Sequence, residues 1–172
     1  MTTPLAARRA AQATPLRQAT LCFLLREGEI LLALKKRGFA AGKWNGAGGK
    51  PEPGESIDAA AIREVREEIG VVPLAPRRVA TLDFYFPEGD DSAAWDQQVC
   101  VYLADAWEGE PVETEEMAPR WFPRDRLPLD LMWADDPLWL PLVLRGCAVR
   151  GWFLFGAENT VQEYELVEGR WA

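Results

Sequence analysis

The chain has 172 residues, 48% of them hydrophobic, and carries a formal net charge of −8. This length and apolar content favour a single globular domain, and no apolar run reaches the roughly 18 residues of a membrane span, so we expect no membrane partner. The chain also lacks histidine, which excludes His-dependent nucleophiles, and it has no stripe of Lys and Arg broad enough to bind a nucleic-acid polymer.

The first 18 residues are rich in Ala, Arg and Thr and contain no acidic residue. An organelle transit peptide shares this bias. Pro4 and Pro15, however, would interrupt an amphipathic helix, which favours a disordered tail. We therefore predict a disordered tail over residues 1–18 and one domain over residues 19–172.

The pattern changes at Thr20, where strands begin. The runs TLCFLL and EILLALKK predict a hairpin around a turn at residues 26–28. A Gly-rich loop follows, and then a helix from Ile57 to Ile69, which Ser56 can cap and Gly70 can end in a left-handed turn.

Downstream, the pattern predicts strands at residues 78–86 and 97–105, separated by an acidic loop at 87–96. A short strand near Trp121 and a second helix from Pro137 to about Arg145 precede two last strands, GWFLF and VQEYELVE. A strand-rich chain with two helices indicates the α/β class, a mixed β-sheet flanked by helices.

The three cysteines form no CxxC pair (Cys22, Cys100 and Cys147). Such isolated cysteines in largely apolar surroundings are typical of reduced thiols in a cytoplasmic protein. We accordingly expect a cytoplasmic protein, and we expect it to be a monomer.

Three glutamates lie on one side of the predicted helix. Glu64, Glu67 and Glu68, at i, i+3 and i+4, share an arc that overlaps the edge of its apolar face. Clustered carboxylates repel one another, so a hard divalent cation such as Mg²⁺ would be needed to neutralise them beside a core. An ordinary acidic surface helix is the alternative that the helix alone leaves open.

The residues around the three glutamates distinguish between these alternatives. Seven fixed residues match the spacing G-x5-E-x7-REU-x-EE-x-G-U, where U is aliphatic. Such a match arises by chance with a probability on the order of 10⁻⁸ per start position. This pattern is the Nudix box, and the chain resembles the Nudix hydrolase family in Gly49, Glu55, Arg63, Glu64, Glu67, Glu68 and Gly70, with Val65 and Val71 at the aliphatic positions.

The resemblance implies a Nudix fold, an α/β/α sandwich, and hydrolysis of a diphosphate linked to a further group, with Mg²⁺ (Mn²⁺ as an alternative) as cofactor. It implies that Glu64, Glu67 and Glu68 are metal ligands, assisted by the carbonyl group of Gly48. Glu55 and Arg63 would form an ion pair that holds the loop against the helix. One of the glutamates, or a carboxylate outside the box, would act as the base.

Longer stretches resemble the branch of this family that hydrolyses oxidised purine nucleoside triphosphates such as 8-oxo-dGTP and 2-hydroxy-dATP. These stretches are LKKRGFAAGKWNGAGGK, PVETEEMAPRWF, LMWADDPLWLPLVL and GWFLF. The resemblance implies that Glu116 is a further metal-site carboxylate. It also implies a substrate site in which Thr20 and Lys35 line the pocket, Asn45, Trp133, Asp135 and Asp136 hold the base, and Phe84 and Phe86 form walls.

The adjacent Asp135 and Asp136 would not both ionise easily in a partly buried pocket, so one could donate a hydrogen bond while the other accepts. The pair followed by Pro137 also fits a helix N-cap, and both roles can hold at once. Trp133 could stack on a base or belong to the core. Ala47 stands where this branch usually has Phe, which predicts a roomier site.

Two other functions remain open. One is a general dNTP hydrolase or a nucleoside diphosphate-X hydrolase with the same chemistry. The other is a non-catalytic nucleotide sensor, although a sensor would have no need of a complete set of box carboxylates.

Overall fold

The structure is a computed structural model that describes residues 1–87 and 95–170. Most of the predicted acidic loop (88–94) and the end of the predicted domain (171–172) lie outside the described residues. The strands are β1 Arg17–Arg26, β2 Glu29–Lys35, β3 Trp44–Asn45, β4 Val72–Pro73, β5 Arg77–Tyr85, β6 Gln97–Ala104, β7 Trp107–Glu108, β8 Met117–Pro123, β9 Cys147–Phe155 and β10 Val161–Arg170. The helices are α1 Pro4–Ala11, α2 Ile57–Ile69 and α3 Asp136–Leu144, with short 3₁₀ turns at Leu129–Leu131 and Ala157–Asn159.

An eight-stranded mixed sheet has the order β10-β9-β5-β6-β1-β2-β3, with β8 paired to β2. The β1–β6 and β5–β9 pairs are parallel, and the other pairs are antiparallel. Strands β4 and β7 form a separate two-stranded sheet. The predicted strands and both predicted helices are therefore present, and the α/β class is confirmed.

Strand β1 changes partner on its β2 side, and this change makes room for the site. Only Leu25 and Arg26 pair with β2, so the predicted hairpin is limited to its tip. Farther back along β1 the Gly-rich loop takes the place of β2: Cys22 N donates to Ala47 O at 2.7 Å, and Thr20 N donates to Gly49 O at 2.7 Å. The loop is thus fixed by backbone hydrogen bonds that a longer hairpin would have used.

Helices cover the sheet on both faces. Helix α3 contributes Trp139 and Leu140 to a large core that also contains Phe23 and Phe153. On the opposite face, α2 contributes Ala61, Val65 and Ile69 to a second core with Cys22 and Tyr102. Among the described residues, no helix is long and apolar enough to cross a membrane.

The N-terminus differs from the sequence prediction, because residues 4–11 form helix α1 where the sequence predicts a disordered tail. Pro4 is the first helical residue, a position that needs no backbone N–H, so it starts the helix instead of interrupting it. Thr3 caps the helix by accepting a hydrogen bond from Ala6 N at 3.2 Å. Leu5 is buried against Tyr85 and Leu154, so the helix is held by tertiary contacts.

Candidate active site

Helix α2 begins and ends where its capping residues predict. Ser56 Oγ accepts a hydrogen bond from Ala59 N at 3.1 Å, and Gly70 adopts the left-handed conformation at the other end (φ 77°). Burial of one face against the sheet leaves the glutamates beside the Gly-rich loop.

Glycine is required where this loop passes between β1 and α2. A Cβ atom on Gly48 would collide with the carbonyl oxygen of Thr20, and one on Gly49 would collide with the carboxyl group of Glu64. Gly49 N also donates to Thr20 Oγ1 at 3.2 Å. The loop backbone can therefore approach the helix carboxylates closely only because these two side chains are missing.

Glu68 is the most constrained of the three helix glutamates. Its Oε2 accepts a hydrogen bond from Gly48 N at 2.9 Å. Its pKa is raised to about 7, chiefly by burial and also by the nearby charges of Glu64 and Glu116, while the Gly48 hydrogen bond and Lys35 act to lower the pKa. A positive charge bound beside Glu68 would stabilise its ionised carboxylate and lower its pKa.

Arg63 connects the carboxylates of the loop and the helix. Its guanidinium donates to both oxygens of Glu55, at 2.9 Å each, and to the carbonyl of Lys50 at 3.0 Å. It also contacts Glu64 at 2.9 Å and Glu67 at 3.0 Å. Hydrogen bonding to Arg63 lowers the pKa of Glu55, so this pair stays ionised and holds the loop against the helix.

Glu116 lies just before β8 and forms an ion pair with Arg37. Its side chain is 42% exposed. Thr114 connects it to α2, because Thr114 Oγ1 accepts a hydrogen bond from Glu116 N at 3.2 Å and donates one to Glu68 O at 2.7 Å. Glu116 therefore lies near the carboxylates of α2 although 48 positions separate it from Glu68.

A cavity of about 420 Å³ adjoins these groups. Gly48 and Glu68 line it, whereas Glu55, Arg63, Glu64, Glu67 and Glu116 are not among its lining residues. Every substrate-site residue predicted from the sequence does line it: Thr20, Lys35, Asn45, Phe84, Phe86, Trp133, Asp135 and Asp136.

Two buried aspartates lie in this cavity, with exposed fractions of 4% and 2%. Trp139 Nε1 donates to Asp135 Oδ2 at 2.8 Å, and Trp133 N donates to Asp136 Oδ2 at 2.9 Å. Burial raises the pKa of Asp135 to about 6. Burial and the charge of Asp135 together raise the pKa of Asp136 well above its usual range, so ionisation of both carboxyl groups at once is disfavoured.

The Asp135–Asp136 sequence is also the start of α3, but Asp135 makes no side-chain hydrogen bond that caps this helix. Its carboxylate binds the Trp139 indole instead. The capping role is thus limited to the backbone, and the side chain is available to the cavity.

Aromatic rings form much of the wall. Phe84 stacks on Phe153 with ring centroids 5.3 Å apart, and Phe86 stacks on Phe155 at 5.1 Å. Trp133 contacts Phe155 edge-on at 6.0 Å. Trp133 is therefore both a cavity residue and a neighbour of the core, and stacking on a base stays a prediction for it.

The NUDIX domain family matches residues 15–143 of the chain. The chain belongs to the Nudix family. It is similar to two proteins named oxidized purine nucleoside triphosphate hydrolase, from Danio rerio (42% identical) and Mus musculus (39% identical). Each match covers 149 residues, 87% of this chain and 93% of the relative. A crystal structure of a MutT protein from Bacillus halodurans has a TM-score of 0.74 at 26% identity and covers 88% of this chain and 97% of that one.

Nudix enzymes generally use a divalent metal, and the donor set of this Nudix box suits one. Within residues 1–87 and 95–170, no three Asp, Glu, Cys or His side chains already converge as a metal-binding group. Glu64 and Glu67 form ion pairs with Arg63, and Glu116 forms one with Arg37. The carboxylates are oxygen donors that a hard cation prefers. Burial raises the pKa of Glu68, and a bound cation would favour its ionised form.

Ala47 corrects one sequence-based expectation about this Nudix domain. It is buried in the core beneath α2 with Cys22 and Val65 and is not among the residues that line the cavity. The small side chain therefore affects packing between the Gly-rich loop and α2, and it does not make the cavity roomier.

Phe39, Lys43 and Trp95 are among the cavity residues that were not predicted from the sequence. Phe39 stacks on Trp95 with ring centroids 4.8 Å apart and contacts Trp133 at 5.5 Å. Lys43 Nζ lies 5.5 Å from the centre of the Trp133 ring. Large aromatic residues in loop segments were the one signal in the sequence that could have identified Phe39 and Trp95. In the structure both side chains are 46% exposed, as expected of residues at a binding surface.

Proposed function

We propose that this Nudix enzyme hydrolyses oxidised purine nucleoside triphosphates, such as 8-oxo-dGTP and 2-hydroxy-dATP, to the nucleoside monophosphate and pyrophosphate, with Mg²⁺ as cofactor. One observation carries the proposal: a single cavity is lined both by Gly48 and Glu68 of the Nudix box and by the buried Asp135–Asp136 pair. The names of the two relatives, each matched over 87% of the chain, support the substrate class.

At the phosphate end, Glu64, Glu67, Glu68 and Glu116 would hold the metal together with the carbonyl of Gly48. When bound, Mg²⁺ lowers the pKa of water and offsets charge on the pyrophosphate leaving group. Arg63 keeps the loop and helix in register through Glu55 and Glu64. One glutamate of this group would take the proton from the attacking water, and Lys35 in the cavity wall would bind phosphate oxygens.

At the base end, hydrogen-bonding groups of both kinds are available. Gly46 N donates to Asn45 Oδ1 at 2.8 Å, which leaves the amide N–H₂ group of Asn45 to donate to a base. The proton shared by Asp135 and Asp136 lets one carboxyl donate and the other accept. Oxidation adds a donor and an acceptor to a purine, so such a pair can distinguish an oxidised base from an unoxidised one.

Stacking would hold the plane of the purine. Trp133, Phe84 and Phe86 present aromatic surface to the cavity, and base–aromatic stacking contributes about 1–3 kcal/mol per base. This contribution does not depend on oxidation, because every base has a π-face. Discrimination between bases should therefore depend on Asn45 and the aspartates.

A panel of substrates tests the proposal directly. With Mg²⁺ or Mn²⁺, pyrophosphate release would be measured for 8-oxo-dGTP, 2-hydroxy-dATP and the four unoxidised dNTPs, and release of AMP would be measured for ADP-ribose, whose cleavage gives AMP and ribose 5-phosphate. We expect the highest kcat/KM on an oxidised purine, in the presence of Mg²⁺, with loss of activity in EDTA. A preference for dGTP or ADP-ribose would support the general hydrolase instead, and binding without turnover of any nucleotide would support a sensor.

We also propose that the enzyme is a cytoplasmic monomer. Its three cysteines are free (Cys22, Cys100 and Cys147), and two of them are buried, which suits a reducing compartment. Sedimentation at micromolar concentration should give the mass of one 19.3 kDa chain; a stable dimer would contradict the monomer proposal.

A further inference from the structure

Part of the cavity wall lies where the chain leaves β5 and enters β6. Phe86, Trp95, Asp96 and Gln97 line the cavity there. Phe86 N donates to Asp96 Oδ1 at 2.9 Å, which ties the two sides of this connection together. The position of the wall therefore depends on the carboxylate of Asp96.

Helix α1 binds the same carboxylate through its other oxygen. Arg8 Nη2 lies 2.8 Å from Asp96 Oδ2, and the two side chains are only 18% and 15% exposed. A charge-assisted hydrogen bond in such a partly buried position is stronger and more restrictive than one at the surface. Arg8 thus connects a helix outside the Nudix box to the cavity wall.

Helix α1 lies on the face of the sheet opposite the cavity. Along β5, Phe84 faces the cavity, whereas the next residue, Tyr85, is buried with Leu5 of α1. The hydroxyl of Tyr85 donates to Gln12 Oε1 at 2.7 Å, just beyond the end of α1. An eight-residue helix is too short to be stable alone, so these contacts give α1 a fixed position from which Arg8 can act.

A second arginine of α1 makes contacts that do not involve the cavity. Arg9 pairs with Glu165 of β10 at 2.5 Å and lies 4.0 Å from the centre of the Trp152 ring. Neither partner lines the cavity. Arg9 therefore contributes to the attachment of α1 and is a matched control for Arg8.

We propose that Arg8 is a positioning residue for the substrate: by holding Asp96, it sets the wall formed by Phe86 and Trp95 and thereby the fit of the purine. This inference rests on the proposed function, because it takes a purine nucleotide as the occupant of the cavity. Trp95 continues the wall by stacking on Phe39 at 4.8 Å, and Phe39 contacts Trp133 at 5.5 Å. A shift of Asp96 would therefore change the positions of the rings at the proposed base-binding end.

The first experiment compares Arg8→Ala with Arg9→Ala in steady-state kinetics on the best nucleotide of the panel. Loss of one charge-assisted bond is expected to raise KM roughly tenfold in Arg8→Ala. The kcat should stay within about twofold of wild type, since Arg8 contacts no residue of the Nudix box. Arg9→Ala should lower Tm by a similar amount and leave KM within about twofold. Equal changes of KM in both variants, or a lowered kcat at unchanged KM in Arg8→Ala, would show that α1 acts only on stability.

A second measurement needs no substrate. Hydrogen exchange of the Phe86 amide in the nucleotide-free protein should be faster in Arg8→Ala and unchanged in Arg9→Ala, because only Arg8 holds the carboxylate that this amide binds. If no nucleotide is hydrolysed but Phe86 responds in this way, the proposed function fails while the connection from α1 to the wall stands. An unchanged Phe86 amide in Arg8→Ala overturns the inference.

Conservative variants complete the test. Arg8→Lys keeps the charge and should recover part of the KM increase, which a role in stability alone would not predict. If Arg8→Ala does not fold, Asp96→Asn takes its place, because it removes the charge pair and keeps an oxygen for Phe86 N. Asp96→Asn with a wild-type KM would contradict the proposal.

Discussion

The two ends of the cavity are built in different ways. The proposed phosphate end comes mainly from one continuous segment, in which a Gly-rich loop and α2 provide Gly48 and Glu68. The base end combines side chains from segments far apart in the chain, including Asn45, Phe84 and Asp135. On the proposed function, the reaction would be encoded locally, whereas recognition of the base would depend on the packing of the whole sheet.

This difference has a physical consequence for substitutions. The carboxylates of α2 are held by a short network, so a change there should affect the chemistry and leave the fold intact. The base end is continuous with the main core through Phe155 and Trp139. Changes at that end should therefore alter selectivity and stability together.

The largest expected effect is at the phosphate end. Glu68→Gln keeps an acceptor for Gly48 N but removes a negative charge from the metal site, so kcat should fall by about 10³-fold or more. The pKa of Glu68 is raised to about 7 by burial, so neutralising it should leave Tm unchanged or slightly higher. Glu52→Gln, at an exposed position in the same loop, is the control and should retain full activity. A large loss of Tm in Glu68→Gln would contradict the separation of chemistry from folding.

The next effect concerns the base end and is one of stability. Burial raises the pKa of Asp135 from 3.8 to about 6. Well below pH 4 the carboxyl is protonated in both the folded and the unfolded chain. Between pH 4 and 6 it loses its proton in the unfolded chain and keeps it in the folded protein. The wild type should therefore lose up to about 2–3 kcal/mol of stability from this group as pH rises through that window. Asp135→Asn should not show this loss.

The measurement is urea unfolding of wild type and Asp135→Asn between pH 4 and 7. The difference between their free energies of unfolding should change in favour of the variant as pH rises from 4 to 6. Asp125→Asn, whose side chain is 87% exposed in the wild type, should give a constant difference. A constant difference for Asp135→Asn as well would mean that its carboxyl ionises as it does in the unfolded chain.

The features of the fold that the sequence predicts are those set by local contacts, and the features that it misses depend on contacts between distant segments. The bounds of α2 and its caps were predicted correctly from Ser56 and Gly70, because capping and helical periodicity act within a few residues. Helix α1 was missed, since eight residues with weak helical signal become ordered only through distant contacts such as Leu5 with Tyr85 and Leu154. The limited pairing of β1 with β2 was missed for the same reason, because the Gly-rich loop pairs with β1 in place of β2.

The residues of the site likewise divide into those that the sequence predicts and those that only packing between distant segments brings together. The resemblance predicted the residues that line the cavity, but Phe39 and Trp95 meet across 56 positions, and no local pattern links them. The prediction for Ala47 failed because a comparison of residue types does not tell which way a side chain points. Roles of the individual site residues stay predictions until they are tested by substitution.

A smaller effect should separate recognition of the base from catalysis. Asp135→Asn removes the shared proton of the pair while keeping the hydrogen-bonding shape, so the ratio of kcat/KM for oxidised to unoxidised purine should change roughly tenfold. The kcat on the best substrate should change less than this ratio, because Asp135 lies apart from the box carboxylates in the cavity wall. Equal losses on all nucleotides would contradict the assignment of the pair to base recognition.

The smallest effect tests the outer wall of the base end. Trp95→Ala removes a ring that stacks on Phe39. Because Trp95 is 46% exposed, its stacking contributes less than that of a fully buried ring, and KM should rise about threefold. The ratio of oxidised to unoxidised purine should stay constant, because an aromatic surface does not recognise the added donor and acceptor. Trp107→Ala is a control away from the cavity, where Trp107 packs on Trp121 instead, and its KM should equal that of wild type. A changed ratio of oxidised to unoxidised purine in Trp95→Ala would show that base discrimination is not limited to Asn45 and the aspartates. It would then also involve the wall that Arg8 is proposed to position.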